Sequence, residues 1–356
     1  MRAAEIPAAA EAGSLLLTGP GGEALRLDGP GPDIWESLEY PSTADDVVAR
    51  LLCRYDADRA TIEPVVVGLL ERLEAHGLIE AAASPGDPLG QAYLGLLKRS
   101  VANLLYPELE LQLKHLADAP PEAGLALQRR LRDIGEPERL DALIAAKREG
   151  TGPIRYAHTM IGLFRLNNIE RCAERVFADR IEGDFLEAGV CQGGAAILMR
   201  ALQRAHGEAA RRTWVVDSFE GVPPSVDERD RGYGLDLEEE RQPWMAMSER
   251  RVRENFARYD LLDEGVAFVP GWLRESLPGA AIDKLAILRV DVDLYSSTID
   301  CLDLLYDKVS PGGFVIVDDY GYLPCCRDAV EAFRAQRGIE APLRRIDRSG
   351  VFWRKP

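Results

Sequence analysis

From Asp184 to Tyr320 the chain repeats one pattern: a short apolar run, a polar cluster, then a stretch with helical periodicity. "DFLEAGVCQGGAAILMRALQRA" reads as a strand, a glycine turn and a helix, and "TWVVDSFEG" as a second strand. "GVAFVPGW", "LAILRVDVD" and "GGFVIVDDY" read as the third, fourth and fifth strands. Near-continuous apolar strands alternating with helices require an α/β fold, with a mostly parallel sheet covered on both faces. In open sheets of this kind ligands sit outside the carboxyl ends of the strands. The acids that end the fourth and fifth runs, Asp291, Asp293, Asp318 and Asp319, are therefore expected on the rim of one cleft.

The first turn narrows the cofactor class. Glu187-x-Gly189-x-x-x-Gly193-Gly194 resembles a dinucleotide loop, but Cys191 stands where a pyrophosphate needs bare backbone, and no basic residue lies in the turn. A nicotinamide dehydrogenase is thereby disfavoured. Glu187 before the glycine and Asp217 at the end of the second strand suit a ligand with an amine and a ribose diol but no phosphate. S-adenosylmethionine is such a ligand. Glu187 would orient its methionine moiety, Gly189 would let the backbone approach, and Asp217 would accept from the ribose hydroxyls.

The acids supply a second half of the chemistry. Asp291, Asp318 and Asp319 offer hard oxygen ligands to an ion such as Mg²⁺, which prefers octahedral oxygen coordination and keeps positions open for substrate. Burying so many carboxylates without a cation would cost free energy or force protonation. The plainer alternative for Asp293 and Asp319 is that each caps the helix that follows it.

A chain of 356 residues with 46% hydrophobic content can bury one large core and a smaller module. The net charge of −16, spread along the chain, should repel phosphate backbones and anionic lipid, which argues against nucleic-acid and membrane-surface binding. No apolar stretch approaches the roughly 20 residues of a membrane span, and "MRAAEIPAAAEAG" lacks a signal peptide's apolar segment, so a cytoplasmic location is expected. The six cysteines show no C-x-x-C spacing; adjacent Cys325 and Cys326 read as buried, reduced filler rather than a redox pair.

The domains are expected at 1–85, 86–150 and 151–356. In the first, Ser14–Leu17 and Ala24–Asp28 read as a hairpin and Pro32–Leu38 as a short helix. A second helix opens at "PSTADD", capped by Ser42 or Thr43. A third spans Ala60–Ala75, with Val65, Leu69, Leu70 and Leu73 on one face and Gly77 as its stop. "ASPGDPLG" (Ala83–Gly90) is a linker, and "QAYLGLLKRSVANLLYPELELQLKHLA" and the stretch to Arg148 are helical.

Several of these segments together resemble a known family. "YLGLLKRSVANLLYPE", "AHTMIGLFRLNNIERC", "GDFLEAGVCQGGAAILMRAL", "VVDSFEGVPP", "LRVDVDLYSSTIDCLDLLYDKVSPGGFVIVDDY" and "CCRDAVEAFR" are similar to the macrocin O-methyltransferase (TylF-type) family, from about Tyr93 onward. The resemblance implies a Rossmann-type S-adenosylmethionine methyltransferase, dependent on Mg²⁺, that O-methylates natural products, often on deoxysugar hydroxyls. It puts Asp291, Asp318 and Asp319 at metal positions and Glu187, Gly189, Asp217 and Ser218 at cofactor positions. Thr159 and Met160 would close over the cofactor, with Gly271 and Trp272 beside the adenine. The family's usual "DGDxYES" is "DVDLYSS" here; Val292 and Ser296 depart, which implies a changed acceptor contact. Catechol-type relatives carry a lysine where Leu294 stands, so the general base is left to Asp291, Asp293 or His158. An acceptor carboxylate would need no base.

Residues 10–82 resemble PqqD-like precursor-recognition elements, a winged-helix-like α+β unit that binds a leader peptide as an added strand. This second resemblance implies a ribosomally synthesised precursor peptide as substrate and partner. The alternative is a sugar hydroxyl on a small natural product, with the N-terminal unit serving as a lid or in dimerisation; a homodimer is expected. A non-catalytic peptide-binding protein would not need the acids at the strand ends.

Overall fold

The computed structural model describes residues 8–11, 14–18, 22, 24–38, 43–52, 54–79, 88–108, 137–152, 156–223, 227–230 and 246–356. Ser42, Cys53, residues 83–87 of the expected linker and the helical reading of "ELQLKHLA" lie outside them. The chain divides into two compact units, Met1–Gly86 with Arg345–Arg348 and Asp87–Arg344 with Ser349–Pro356.

The first unit holds strands β1 (Ala8–Glu11), β2 (Ser14–Thr18) and β3 (Ala24–Leu27) and helices α1 (Gly31–Ser37), α2 (Ala44–Leu52) and α3 (Arg59–Ala75). The expected hairpin is β2–β3, with Leu16 opposite Arg26, and β1 adds an antiparallel strand that sequence reading missed. At the start of α2, Thr43 N–H donates to Asp46 Oδ2 (2.7 Å) while Asp46 N–H donates to Thr43 Oγ1 (3.2 Å). This is a reciprocal capping box. In α3 the buried face is Ile62, Val66, Leu69 and Leu73, whereas Val65 is 48% exposed, so the expected phase needs correction at that residue. These side chains close a separate core with Leu17, Leu27, Ile34 and Trp35.

The second unit opens with α4 (Pro88–Val101), α5 (Pro137–Glu149) and α6 (Leu163–Ala178). Its sheet comprises β4 (Asp184–Ala188), β5 (Thr213–Asp217), β6 (Val266–Pro270), β7 (Leu285–Val290), β8 (Val309–Val317), β9 (Arg344–Arg345) and β10 (Val351–Arg354). The order is β6-β5-β4-β7-β8-β10-β9. β4 to β8 pair in parallel, and β10 runs antiparallel to β8. Helices α7 (Gly194–Ala205), α8 (Glu249–Arg258), α9 (Leu273–Ser276), α10 (Tyr295–Leu305) and α11 (Pro324–Arg337) complete it. The α/β fold with a mostly parallel sheet is as expected, extended by β9 and β10.

The strand order reverses at β4, whose neighbours are β5 on one side and β7 on the other. That reversal opens a crevice at the carboxyl ends of β4, β5 and β7. Below it β7 is buried along its whole length and joins Leu186, Val216, Val315 and Trp353 in the main core. Cys325 and Cys326 are buried and free. Among the described residues no helix is long and apolar enough to cross a membrane.

Candidate active site

The glycine turn after β4 is tight because three chain segments converge on it. Gly189 has φ +79°, and a Cβ there would lie 1.8 Å from the Asp291 carbonyl oxygen. Its smallness serves the approach of β7 as well as any ligand. Gly194 N–H donates to the His158 carbonyl (2.8 Å), and a Cβ at Gly194 would meet Thr159 at 2.7 Å. Buried Thr159 therefore lies over the first turn of α7, with half-buried Met160 following it.

Asp217 at the end of β5 ties this turn to the next. Its Oδ2 accepts from Val190 N–H and its Oδ1 from Phe219 N–H, both at 2.7 Å. Burial raises its pKa, and these backbone donors oppose the rise. Ser218 Oγ donates to the Gly221 carbonyl (3.0 Å), which closes the β5 loop. Gly271, at φ +119°, donates its N–H to the Asp217 carbonyl (2.9 Å), and Trp272 caps the start of α9 beside it. Asp217, Ser218, Gly271 and Trp272 thus gather along one edge, at the ends of β5 and β6.

The acids form the other edge, organised by an arginine that sequence reading overlooked. Arg289, 1% exposed and next to last in otherwise apolar β7, donates from Nη1 to Glu187 Oε1 (2.5 Å) and to Asp291 Oδ2 (2.6 Å), and from Nη2 to Asp318. It joins the acid of the glycine turn to the acids at the ends of β7 and β8. Arg165, from the first turn of α6, donates to the second Asp318 oxygen. The signal for Arg289 was available: a charge on a strand buried on both faces must meet opposite charge.

Ligand atoms of Asp291, Asp318 and Asp319 lie within 4.8 Å of one another. Asp319 Oδ2 is buried and has no hydrogen-bond partner, and the same holds for Glu187 Oε2. Burial pushes the Glu187 carboxyl up to about 8, against the pull of Arg289. Burial and the charge of Asp291 raise Asp293 to about 7, opposed in part by a hydrogen bond with Asp319. Asp319 is held well above the usual carboxylate range by burial and by Asp293. The acids outnumber the guanidiniums here, a donor set suited to a hard divalent cation.

Neither Asp293 nor Asp319 caps a helix: Leu294 and Leu323 occupy the N-cap positions of α10 and α11. Buried Asp230, another residue sequence reading missed, serves α10 by accepting from Tyr295 N–H (2.5 Å) and from Ser296 Oγ (2.9 Å). Ser296 thus takes part in a helix start. The His158 ring takes a partner away from the acids. Its Nδ1 meets the Tyr259 hydroxyl at 2.8 Å, and burial pulls its pKa down to about 4.

The family profile of macrocin O-methyltransferase (TylF) matches residues 90–355. The chain belongs to this family. It is an S-adenosylmethionine-dependent O-methyltransferase, and its sheet order and glycine turn are those of the Rossmann-like methyltransferase fold. The solved O-methyltransferase NovP is 42% identical, covering 75% of this chain and 99% of its own, with a TM-score of 0.62. A tetracenomycin-C derivative 4'-O-methyltransferase of Streptomyces olivaceus is 44% identical over 74% of this chain and 92% of its own length. Mycinamicin III 3''-O-methyltransferase of Micromonospora griseorubida is 38% identical over 74% and 96%, and demethyldecarbamoylnovobiocin O-methyltransferase of Streptomyces niveus 52% identical over 56% and 76%.

These relatives overturn the expectation of a ribosomally synthesised precursor peptide as substrate. Each is named for a small natural product, so the macrocin O-methyltransferase resemblance outweighs the inference from the N-terminal unit. That unit does match the profile of coenzyme PQQ synthesis protein D (PqqD) over residues 13–79. The match concerns a small fold, and a fold alone assigns no ligand.

Proposed function

We infer that this chain transfers the methyl group of S-adenosylmethionine to a sugar hydroxyl on a small natural product, with Mg²⁺ held by Asp291, Asp318 and Asp319. The observation that carries the metal is the convergence of three carboxylates within 4.8 Å, one of them with a buried oxygen that has no hydrogen-bond partner. Support for the sugar comes from the relatives, one of whose names specifies a dimethoxyrhamnosyl substrate.

Glu187, at the floor of the glycine turn, offers a carboxylate for the cofactor's ammonium group. Asp217 holds the β4 and β5 turns together through its backbone donors and keeps lone pairs for the ribose hydroxyls. Thr159 and Met160 border the start of α7, and Gly271 and Trp272 border the adenine edge. In the transfer an acceptor oxygen forms a bond to the methyl carbon as the carbon–sulfur bond breaks, and the hydroxyl proton passes to a carboxylate, Asp291 or Asp293. A bound divalent ion supplies Lewis acidity toward the acceptor oxygen. Arg289 keeps the cofactor-side and acceptor-side acids in one register.

The test uses purified protein, labelled S-adenosylmethionine and paired acceptors, each glycosylated natural product beside its sugar-free aglycone, with and without EDTA. Label should appear in the glycosylated compounds alone and vanish in EDTA. Label in the aglycones would overturn the sugar assignment, and transfer indifferent to EDTA would overturn the metal.

A further inference from the structure

Asp318 is engaged twice before any metal arrives. Arg289 Nη2 donates to its Oδ1 and Arg165 Nη1 to its Oδ2, so each oxygen already faces a guanidinium. Yet Asp318 is one of the acids whose ligand atoms converge with those of Asp291 and Asp319. An ion that takes an Asp318 oxygen comes up against a guanidinium, and two cations cannot share one carboxylate oxygen at contact distance without repulsion.

The two arginines differ in how they are held. Arg289 lies within β7, 1% exposed, and also bonds Glu187 and Asp291; withdrawing it would leave those acids uncompensated. Arg165 reaches in from α6, and its Nη2 lies beside the backbone of Gly150, where a Cβ would come within 2.7 Å. It pairs with Asp318 across 153 residues of sequence, and its charge also acts on Asp291 and Asp319.

We propose that Arg165 is a stand-in cation: its guanidinium neutralises Asp318 in the metal-free protein and yields that oxygen when Mg²⁺ binds. This rests on the metal reading above. Arg165 then tunes metal affinity downward and keeps the acid cluster folded when no ion is present. Arg289 stays in place through the exchange.

The experiment titrates Mg²⁺ into wild type, Arg165→Met and Arg165→Lys by calorimetry, with circular dichroism and S-adenosylmethionine binding as checks of folding. Arg165→Met should bind Mg²⁺ about tenfold more tightly, since the competing charge is gone. Arg165→Lys, which keeps the charge, should stay within about threefold of wild type. Should Arg165→Met not fold, the wild-type protein still decides: the Arg165 guanidinium resonance, assigned by its loss in Arg165→Lys, should shift as Mg²⁺ saturates the site. Equal or weaker binding by a folded Arg165→Met, or a resonance that does not move at saturation, would overturn the proposal and leave the metal site standing. Absence of Mg²⁺ binding by wild type and both variants would overturn the metal reading itself, and Arg165's role with it.

Discussion

Gly189 and Asp291 touch through their backbones: the glycine sits at φ +79°, and a Cβ on it would fall 1.8 Å from the Asp291 carbonyl oxygen. This contact fixes the distance between the glycine turn and the first acid of the carboxylate cluster. Gly189→Ala meets both a left-handed backbone and a main-chain clash that no rotamer can relieve. We expect destabilisation of about 3 kcal/mol or more, measured by urea unfolding, together with loss of S-adenosylmethionine binding. An alanine variant with wild-type stability would show that the turn can relax away from β7.

Asp217→Asn should weaken the cofactor more than loss of one ribose contact explains. The amide keeps one acceptor but points an N–H group at Val190 N–H or Phe219 N–H, so either the turn that precedes α7 or the loop after β5 loses its tether. A rise in the dissociation constant of roughly tenfold or more is expected by calorimetry, in line with the cost of a charge-assisted bond. The same affinity in both proteins would deny Asp217 its place at the turn.

Asp319→Asn separates repulsion from ligation. Without metal the acid adds charge to a cluster that already raises its pKa, and its Oδ2 has no hydrogen-bond partner. In EDTA at pH 8 the variant should therefore melt a few degrees above wild type, equivalent to about 1 kcal/mol. Saturating Mg²⁺ should reverse the order, because only wild type keeps all three carboxylate ligands. A variant less stable than wild type in EDTA would contradict the repulsion.

The parallel strands were legible because a strand covered on both faces is a continuous apolar run, and the acids at its end have nowhere else to be. The phase of α3 was not: Val65, Val66 and Val67 are consecutive, so periodicity could not choose among them, and only Val66 faces the core. β9 and β10 escaped because one is two residues long and the other four. In the site, the cluster of Asp291, Asp318 and Asp319 could be read from strand ends alone. Arg165 and Asp230 could not, since their partners lie 153 and 65 residues away and no local pattern marks them. The N-terminal unit misled on substrate because its fold is legible while its ligand is not.

His158 should make the protein acid-sensitive through stability rather than through the chemical step. Burial, with Arg258 and Arg251 adding like charge, lowers its pKa from an ordinary 6.5 to about 4, and the neutral ring meets the Tyr259 hydroxyl at 2.8 Å. The folded protein therefore binds fewer protons at this site than the unfolded chain between those two values. Stability then rises with pH across that window: as pH falls below 6.5 the unfolded chain takes up a proton the folded state refuses, and the loss is complete below about 4. His158→Asn, which keeps a polar group near Tyr259 but cannot ionise, should remove this share of the slope. Urea midpoints at pH 7 and pH 5 measure it: the wild type should lose more between them than the variant, by at most about 1.4 kcal/mol per pH unit. Equal losses in the two proteins would mean that the His158 ring is protonated as readily in the folded chain as in the unfolded one.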